Sequence, residues 1–141
     1  MNKKYITFTV PCYNSASYMK RCINSLLAVK DYVEILIIDD GSTDDTPKIA
    51  DQYAKLYPET VKAVHKANGH GSGVNMGLSL ACGQYFKVVD SDDWLDTASL
   101  QKVLFRIMHW EKQGTYADMI VSNYVYDHLN ENRQKSISYK N

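Results

Sequence analysis

Residues 33–47 read Val-Glu-Ile-Leu-Ile-Ile-Asp-Asp-Gly-Ser-Thr-Asp-Asp-Thr-Pro, and this stretch decides the fold class. Val33–Ile38 is a short apolar run rich in β-branched residues, the pattern of a buried strand. A polar, acidic turn follows at once. Thr46 with Pro47 then signals a helix start, because a threonine oxygen caps free amides and proline is preformed for the first turn. Strand, turn and helix in that order make one βα unit. Tyr5–Val10 and Tyr85–Val89 repeat the pattern, each an apolar run followed by polar residues and then helical spacing. Ala16–Leu27 places Met19, Cys22, Ile23, Leu26 and Leu27 at three-and-four spacing, so it is expected to form a helix with one buried face, capped by Asn14 or Ser15. The expected class is α/β with a mostly parallel sheet.

Downstream, Val61–His65 is expected as a strand and Ser72 or Gly73 to Ala81 as a short helix. A longer helix is expected over Ala98–Gln113, opened by Thr97 and closed by Gly114, with a further strand over Met119–Tyr126. From Asp127 to the end the sequence is polar and aperiodic, which reads as a loop or frayed tail over 127–141.

A chain of 141 residues suits one domain with its own core. Its 16 basic and 16 acidic residues cancel. No long-range field is present to gather nucleic acid, so no nucleic-acid partner is expected. Cys12, Cys22 and Cys82 form an odd set without a C-x-x-C pair, against both a disulfide framework and a cysteine zinc site; a reducing, cytoplasmic compartment fits. Tyr5–Val10 is too short and β-branched for a signal core, and no apolar run approaches the roughly 20 residues of a membrane span.

In open α/β sheets, ligands sit beyond the carboxyl ends of the strands. Here those ends are acidic. One strand runs into Asp39-Asp40-Gly41-Ser42-Thr43-Asp44, another into Asp90-Ser91-Asp92-Asp93-Trp94. Aspartate and glycine are also ordinary turn formers, which accounts for the first cluster equally well. In the second, carboxylates two apart along an extended segment point the same way, so Asp90 and Asp92 can face one hard cation, magnesium or manganese. Three carboxylates within four residues repel unless solvated or neutralised. An EF-hand loop is excluded, since the sixth position from Asp90 is Leu95 rather than glycine.

Taken together, Thr9-Val10-Pro11-Cys12-Tyr13-Asn14, Ile38-Asp39-Asp40-Gly41-Ser42-Thr43-Asp44 and Val89-Asp90-Ser91-Asp92-Asp93-Trp94, with the intervening Asn68-Gly69-His70-Gly71 to Asn75-x-Gly77 segment, resemble the family 2 glycosyltransferases. The resemblance implies the GT-A fold, a Rossmann-like three-layer α/β/α sandwich. It implies transfer of a sugar from a nucleoside-diphosphate sugar, typically a UDP-sugar, to a saccharide or surface-polymer acceptor, with inversion. Pro11, Tyr13 and Asn14 are thereby placed beside base and ribose, Asp40 on the base, and Asn68, Gly69, His70, Asp90 and Ser91 around the nucleotide. Asp90 and Asp92 match the family's D-x-D, and Asp90, Asp92 and Asp93 form the implied metal set, with Asp92 or Asp93 the direct ligand. Residues 1–126 then constitute the donor-binding part. The carboxylate that activates the acceptor is expected beyond Asn141, which leaves a non-catalytic nucleotide-sugar-binding module as the alternative. The resemblance also suggests work at the inner face of the cell membrane. One departure is Val74, where the family commonly has an arginine before the asparagine; His70, Ser72 and the amides of the following helix are candidates for its contact with the diphosphate.

Other readings fail on spacing. Gly69-x-Gly71 and Gly71-x-Gly73 lack the third glycine of a dinucleotide fingerprint and do not follow the first strand. His65, His70, His109 and His128 show no metalloprotease spacing, and a lone histidine is ordinarily structural. Trp94 belongs either to the core or to a sugar pocket.

Overall fold

The computed structural model describes residues 2–67, 72–128 and 130–139. Strands β1 (Ile6–Cys12), β2 (Val33–Asp39), β3 (Val61–His65) and β4 (Tyr85–Val88) form a parallel sheet in the order β3-β2-β1-β4. Helices α1 (Met19–Leu26), α2 (Thr46–Leu56), α3 (Gly73–Leu80) and α4 (Thr97–Lys112) follow the strands in turn, with a 3-10 segment at Leu27–Tyr32. The expected α/β class with a parallel sheet is what the structure has.

The chain divides into two compact units, Met1–His109 and Trp110–Asn141. In the first, every residue of β2 is buried, as is nearly all of β1. A strand covered on both faces needs no alternation, which explains the unbroken run Ile35–Ile38, each at 0% exposure. Gross burial of four such side chains contributes roughly 6–12 kcal/mol before entropy is counted. Met19, Cys22, Ile23 and Leu26 of α1 are buried as their spacing predicts.

Glu34 is the buried exception. Its carboxylate accepts from Thr7 Oγ1 at 2.8 Å, Lys62 Nζ at 2.7 Å and the Cys82 N–H at 3.0 Å. Burial alone would raise its pKa, but the Lys62 ammonium and these other donors hold it below the ordinary value. The interaction ties the segment before β4 to the amino-terminal half of the sheet.

Three caps differ from the sequence expectation. Helix α1 starts later, at Met19, and neither Asn14 nor Ser15 bonds its free amides by side chain. Thr46 is the first residue of α2 rather than its cap, because its hydroxyl is engaged by the Ser15 N–H at 2.8 Å. At α4 the capping bond comes from Asp96, whose carboxylate accepts the Ser99 N–H at 2.8 Å, and not from Thr97. At α2 a partner 31 residues away took the threonine oxygen, whereas at α4 the neighbouring aspartate took the amide.

The second unit contains an antiparallel hairpin, β5 (Tyr124–His128) with β6 (Arg133–Ile137), turning through Asn132 at φ 47°. The strand expected from Met119 begins only at Tyr124, and the segment expected as a polar tail contributes all of β6. Both strands are largely exposed, so no hydrophobic alternation betrayed them. Tyr124 packs edge-on against Tyr126 at 5.4 Å and tilts toward Tyr139 at 6.4 Å.

Helix α3 lies against the β1 face that carries Thr9 and Pro11. A methyl group at Gly77 would collide with the Thr9 side chain and stand 2.8 Å from Thr9 Cβ, which no rotamer change can move. Gly77→Ala is therefore expected to destabilise the fold by about 1–3 kcal/mol, read as a lowered urea midpoint.

Candidate functional site

The strand order makes β1 the switch point. The chain steps outward from β1 through β2 to β3 and then returns to the other side of β1 as β4. Loops after β1 and β4 must therefore part, and a crevice opens at their carboxyl ends. The two acidic stretches occupy the loops on either side of β1.

Three loops are stitched together there. Asn14 sits at φ 47°, a conformation asparagine tolerates better than most residues. Its N–H donates to Ser42 Oγ at 2.9 Å, and its Oδ1 accepts the Thr43 N–H at 2.9 Å. Asp44 accepts from the Ala16 N–H at 3.1 Å and the Thr46 N–H at 2.9 Å. Hydrogen bonding from Thr46, above all, lowers its pKa. Ser15 links the remaining loop: its buried hydroxyl lies 2.8 Å from Ser91 Oγ and accepts the Tyr13 N–H at 3.2 Å.

Behind the β4 loop, α1 supplies two holds. Ser25 Oγ accepts the Leu95 N–H at 3.1 Å, and the Arg21 guanidinium stacks 3.3 Å from the centroid of Trp94. The Asp93 N–H donates to the Asp90 carbonyl at 2.9 Å, closing a turn. Asp90, Asp92 and Asp93 thereby bring one carboxylate oxygen each to within 4.8 Å of the others, all exposed. Burial first, then the charges of Asp92 and Asp90, raise the pKa of Asp93. Such a cluster takes up positive charge readily, and an all-oxygen donor set suits a hard divalent cation.

On the other side, Asp39 is buried and fully engaged. It accepts the Ser42 N–H at 3.1 Å and meets His65 Nδ1 at 3.2 Å, while His65 Nε2 reaches Asp51 at 2.9 Å. Carboxylates on both ring nitrogens favour the imidazolium, so His65 titrates above 6.5, with Asp51 the largest cause. Asp40 differs: its N–H donates to the Cys12 carbonyl at 2.9 Å, but its buried Oδ1 has no partner. Lys66 Nζ, just past β3, is likewise buried without a partner. The Cys12 thiol, pushed up to about 12 chiefly by burial, stays neutral and does not compete for a cation.

Of the residues singled out from sequence, Tyr13, Asn14, Asp40, Asp90, Ser91, Asp92 and Asp93 lie in the loops at this edge, and Pro11 lies near the carboxyl end of β1 itself. Asn14 and Ser91 already spend their side-chain oxygens on other loops. Tyr13 presents a ring that is 63% exposed. Asn68, Gly69 and His70 lie outside the described residues. Sequence reasoning missed Ser15, Asp44 and Thr46 as the stitching, took His65 for an isolated histidine, and passed over Lys66. The Asp39–His65 contact was within reach, since both end neighbouring strands.

Comparison with known proteins adds to this geometry. The family model described as glycosyl transferase family 2 matches residues 7–140. Glycosyltransferase GlyG of Streptococcus pneumoniae is 32% identical over 131 residues, covering 90% of this chain and 42% of that protein. The chain thus spans less than half of that relative's length. Among solved structures, S. aureus TarS 1–349 in complex with UDP is similar at TM-score 0.67 and 29% identity, over 76% of this chain and 33% of that one. TarS has also been solved with UDP-GlcNAc. Mannosyltransferase PcManGT of Pyrobaculum calidifontis, in complex with GDP-Man and Mn2+, shares the fold at TM-score 0.63 and 23% identity, over 74% of this chain and 32% of that one.

Two consequences are measurable. Ser15→Ala strands the Ser91 hydroxyl and the Tyr13 N–H, so a loss of about 1–3 kcal/mol is expected in urea denaturation. For His65, the folded pKa is raised, so its pairing stabilises fully below pH 6.5 and is lost as pH rises through the folded value. The stability gap between the wild-type chain and His65→Gln should accordingly be widest below pH 6.5 and shrink above it, in denaturation midpoints taken across that range.

Proposed function

The chain belongs to glycosyl transferase family 2, and from that premise we propose that the carboxyl edge of its sheet is the donor site for a nucleoside-diphosphate sugar, a UDP-sugar by preference. The observation that carries this is the pairing of features at one switch point: three carboxylates within 4.8 Å of one another on one side of β1, and a buried, unpartnered Asp40 oxygen on the other. The first suits a diphosphate-bound cation. The second suits an N–H of a base. The TarS complexes with UDP and UDP-GlcNAc support the choice of nucleotide, and the Mn2+ in the PcManGT complex supports the choice of ion.

In this reading Asp90, Asp92 and Asp93 hold a magnesium or manganese ion, the direct ligand being Asp92 or Asp93. Tyr13 lays its exposed ring along the base, with Pro11 and Asn14 beside it. Asn68, Gly69, His70 and Ser91 complete the nucleotide's surroundings. Trp94, pinned by Arg21, forms a wall toward the sugar. Transfer requires an acceptor hydroxyl to attack the anomeric carbon while the bond to the diphosphate breaks. The chemistry a bound divalent ion supplies there is Lewis-acid stabilisation of the charge gathering on the departing diphosphate. The Ser15–Ser91 contact keeps the carboxylate turn at a set distance from the base-binding loop, which is the orientation the displacement needs. No described residue is assigned as the base that takes the acceptor's proton. The acceptor itself, a saccharide or surface polymer at the inner face of the cell membrane, is proposed on family membership. No described helix is long and apolar enough to cross a membrane.

Calorimetric titration of UDP with and without manganese tests the site. Binding should depend on manganese. Partners one shell removed from a metal are already worth about tenfold or more in its affinity, so Asp92→Ala should weaken binding by at least that factor. Metal-independent binding that ignores the substitution would overturn the assignment.

A further inference from the structure

One imidazole closes the base of the loop between β2 and α2. The loop leaves the sheet at Asp39 and enters α2 at Thr46, and Asp51 lies in the second turn of that helix. His65, the last residue of β3, meets Asp39 Oδ2 through Nδ1 at 3.2 Å and Asp51 Oδ1 through Nε2 at 2.9 Å. The strand before the loop and the helix after it are thus stapled to each other through a third element. What the staple encloses is the stitching of the crevice. Ser42 Oγ accepts the Asn14 N–H, the Thr43 N–H donates to Asn14 Oδ1, and Asp44 accepts the Ala16 N–H. The β1 loop, with its exposed Tyr13, therefore leans on a segment whose own ends are joined by His65.

The two bonds are not equivalent. The Asp39 side chain is 4% exposed and that of Asp51 65%. Both ring nitrogens donate only when the imidazole carries two protons. A neutral ring keeps one N–H, and it keeps the one on Nδ1, because a buried carboxylate oxygen stripped of its donor costs far more than an exposed one that water can serve. Asp51 is the partner released. Strand β3 packs against β2 and α2, and the charged groups those elements turn toward the ring are these two carboxylates. Loss of a proton thus opens the staple on the helix side and leaves the Asp39–Ser42 turn in place.

We infer that His65 is a positioning residue of the donor site: in its doubly protonated form it ties α2 to the strand ends and so orders, before any ligand arrives, the β2–α2 loop that holds the β1 loop. This rests on the donor site proposed above, and it gives His65 no contact with the nucleotide. A loop ordered in advance lowers the ordering cost of binding, so the nucleotide binds the stapled form more tightly. Linkage makes the effect reciprocal, and the bound nucleotide holds the second proton more tightly by the same factor. With the folded pKa raised above 6.5, chiefly by Asp51, the staple is complete below pH 6.5 and is lost as pH rises through the folded value.

The test is calorimetric titration of the unmodified chain, His65→Gln and Asp51→Ala with UDP and magnesium, from pH 6 to about pH 9. Dividing the wild-type affinity by that of each variant at the same pH cancels the titration of the nucleotide and of the acidic turn. Asp51→Ala removes the staple but leaves the imidazole and its charge. Both ratios should be about two- to fivefold at the acid end, the worth of an exposed charged pair, and fall to about one at the alkaline end. In NMR titrations the His65 ring signal, identified by its absence in His65→Gln, should move its midpoint upward when UDP and magnesium are added, and should not do so in Asp51→Ala. Ratios that stay flat with pH would overturn the inference. So would Asp51→Ala binding like wild type while His65→Gln does not, or a midpoint that moves equally in Asp51→Ala; either would make the ring's charge, not the staple, the agent. All three results leave the donor site standing. Failure of the unmodified chain to bind UDP at any pH would remove the donor site and this inference together.

Discussion

The Ser15 hydroxyl, 2.8 Å from that of Ser91, is the constraint on which the crevice depends. At a switch point the loops after β1 and β4 run apart, and backbone pairing no longer sets their separation once the strands end. The Ser15–Ser91 contact restores it. Because Ser15 also takes the Tyr13 N–H, and gives its own N–H to Thr46, one residue fixes the β1 loop against the loops on both sides. Buried hydroxyls joined in this way act as a unit, since each would pay a desolvation cost if its partner left. Helix α1 reinforces the arrangement from behind through Ser25 and Arg21.

The acidic residues at this edge divide by whether the fold satisfies them. Asp39 and Asp44 are consumed in holding turns, each accepting hydrogen bonds from residues well separated in sequence. Asp90, Asp92, Asp93 and one oxygen of Asp40 are left over. The leftover groups carry the functional reading, because a carboxylate already supplied with donors has little to offer a ligand. The same logic makes Lys66 more informative than the exposed lysines of the surface. It also separates two aspartates adjacent in sequence: Asp39 is spent on holding the fold, while Asp40 keeps a buried Oδ1 without a partner.

Much of the fold was legible because its signals are local. The run Ile35–Ile38 and the spacing of Met19, Cys22, Ile23 and Leu26 follow from burial on two faces and on one face, and both patterns survive without knowledge of neighbours. Capping was less legible. Thr46 has the composition of a cap but spends its hydroxyl on Ser15, a residue 31 positions away. The hairpin of the second unit was hidden for a different reason: its strands are exposed, so pairing, not hydrophobic alternation, defines them.

The sequence by itself determined the succession of strands and helices, the parallel α/β class, and the placement of aspartates at strand ends, because periodicity and turn chemistry act within a few residues. Tertiary structure alone decided which of those aspartates stay available, that His65 lies between two carboxylates, that the Lys66 N–H meets the Asp39 carbonyl, and that Ser15 joins Ser91 across 76 residues. A hydrogen bond has a reach of about 3 Å in space and none along the chain, so its partner is chosen only when the strands have been ordered and the loops brought together.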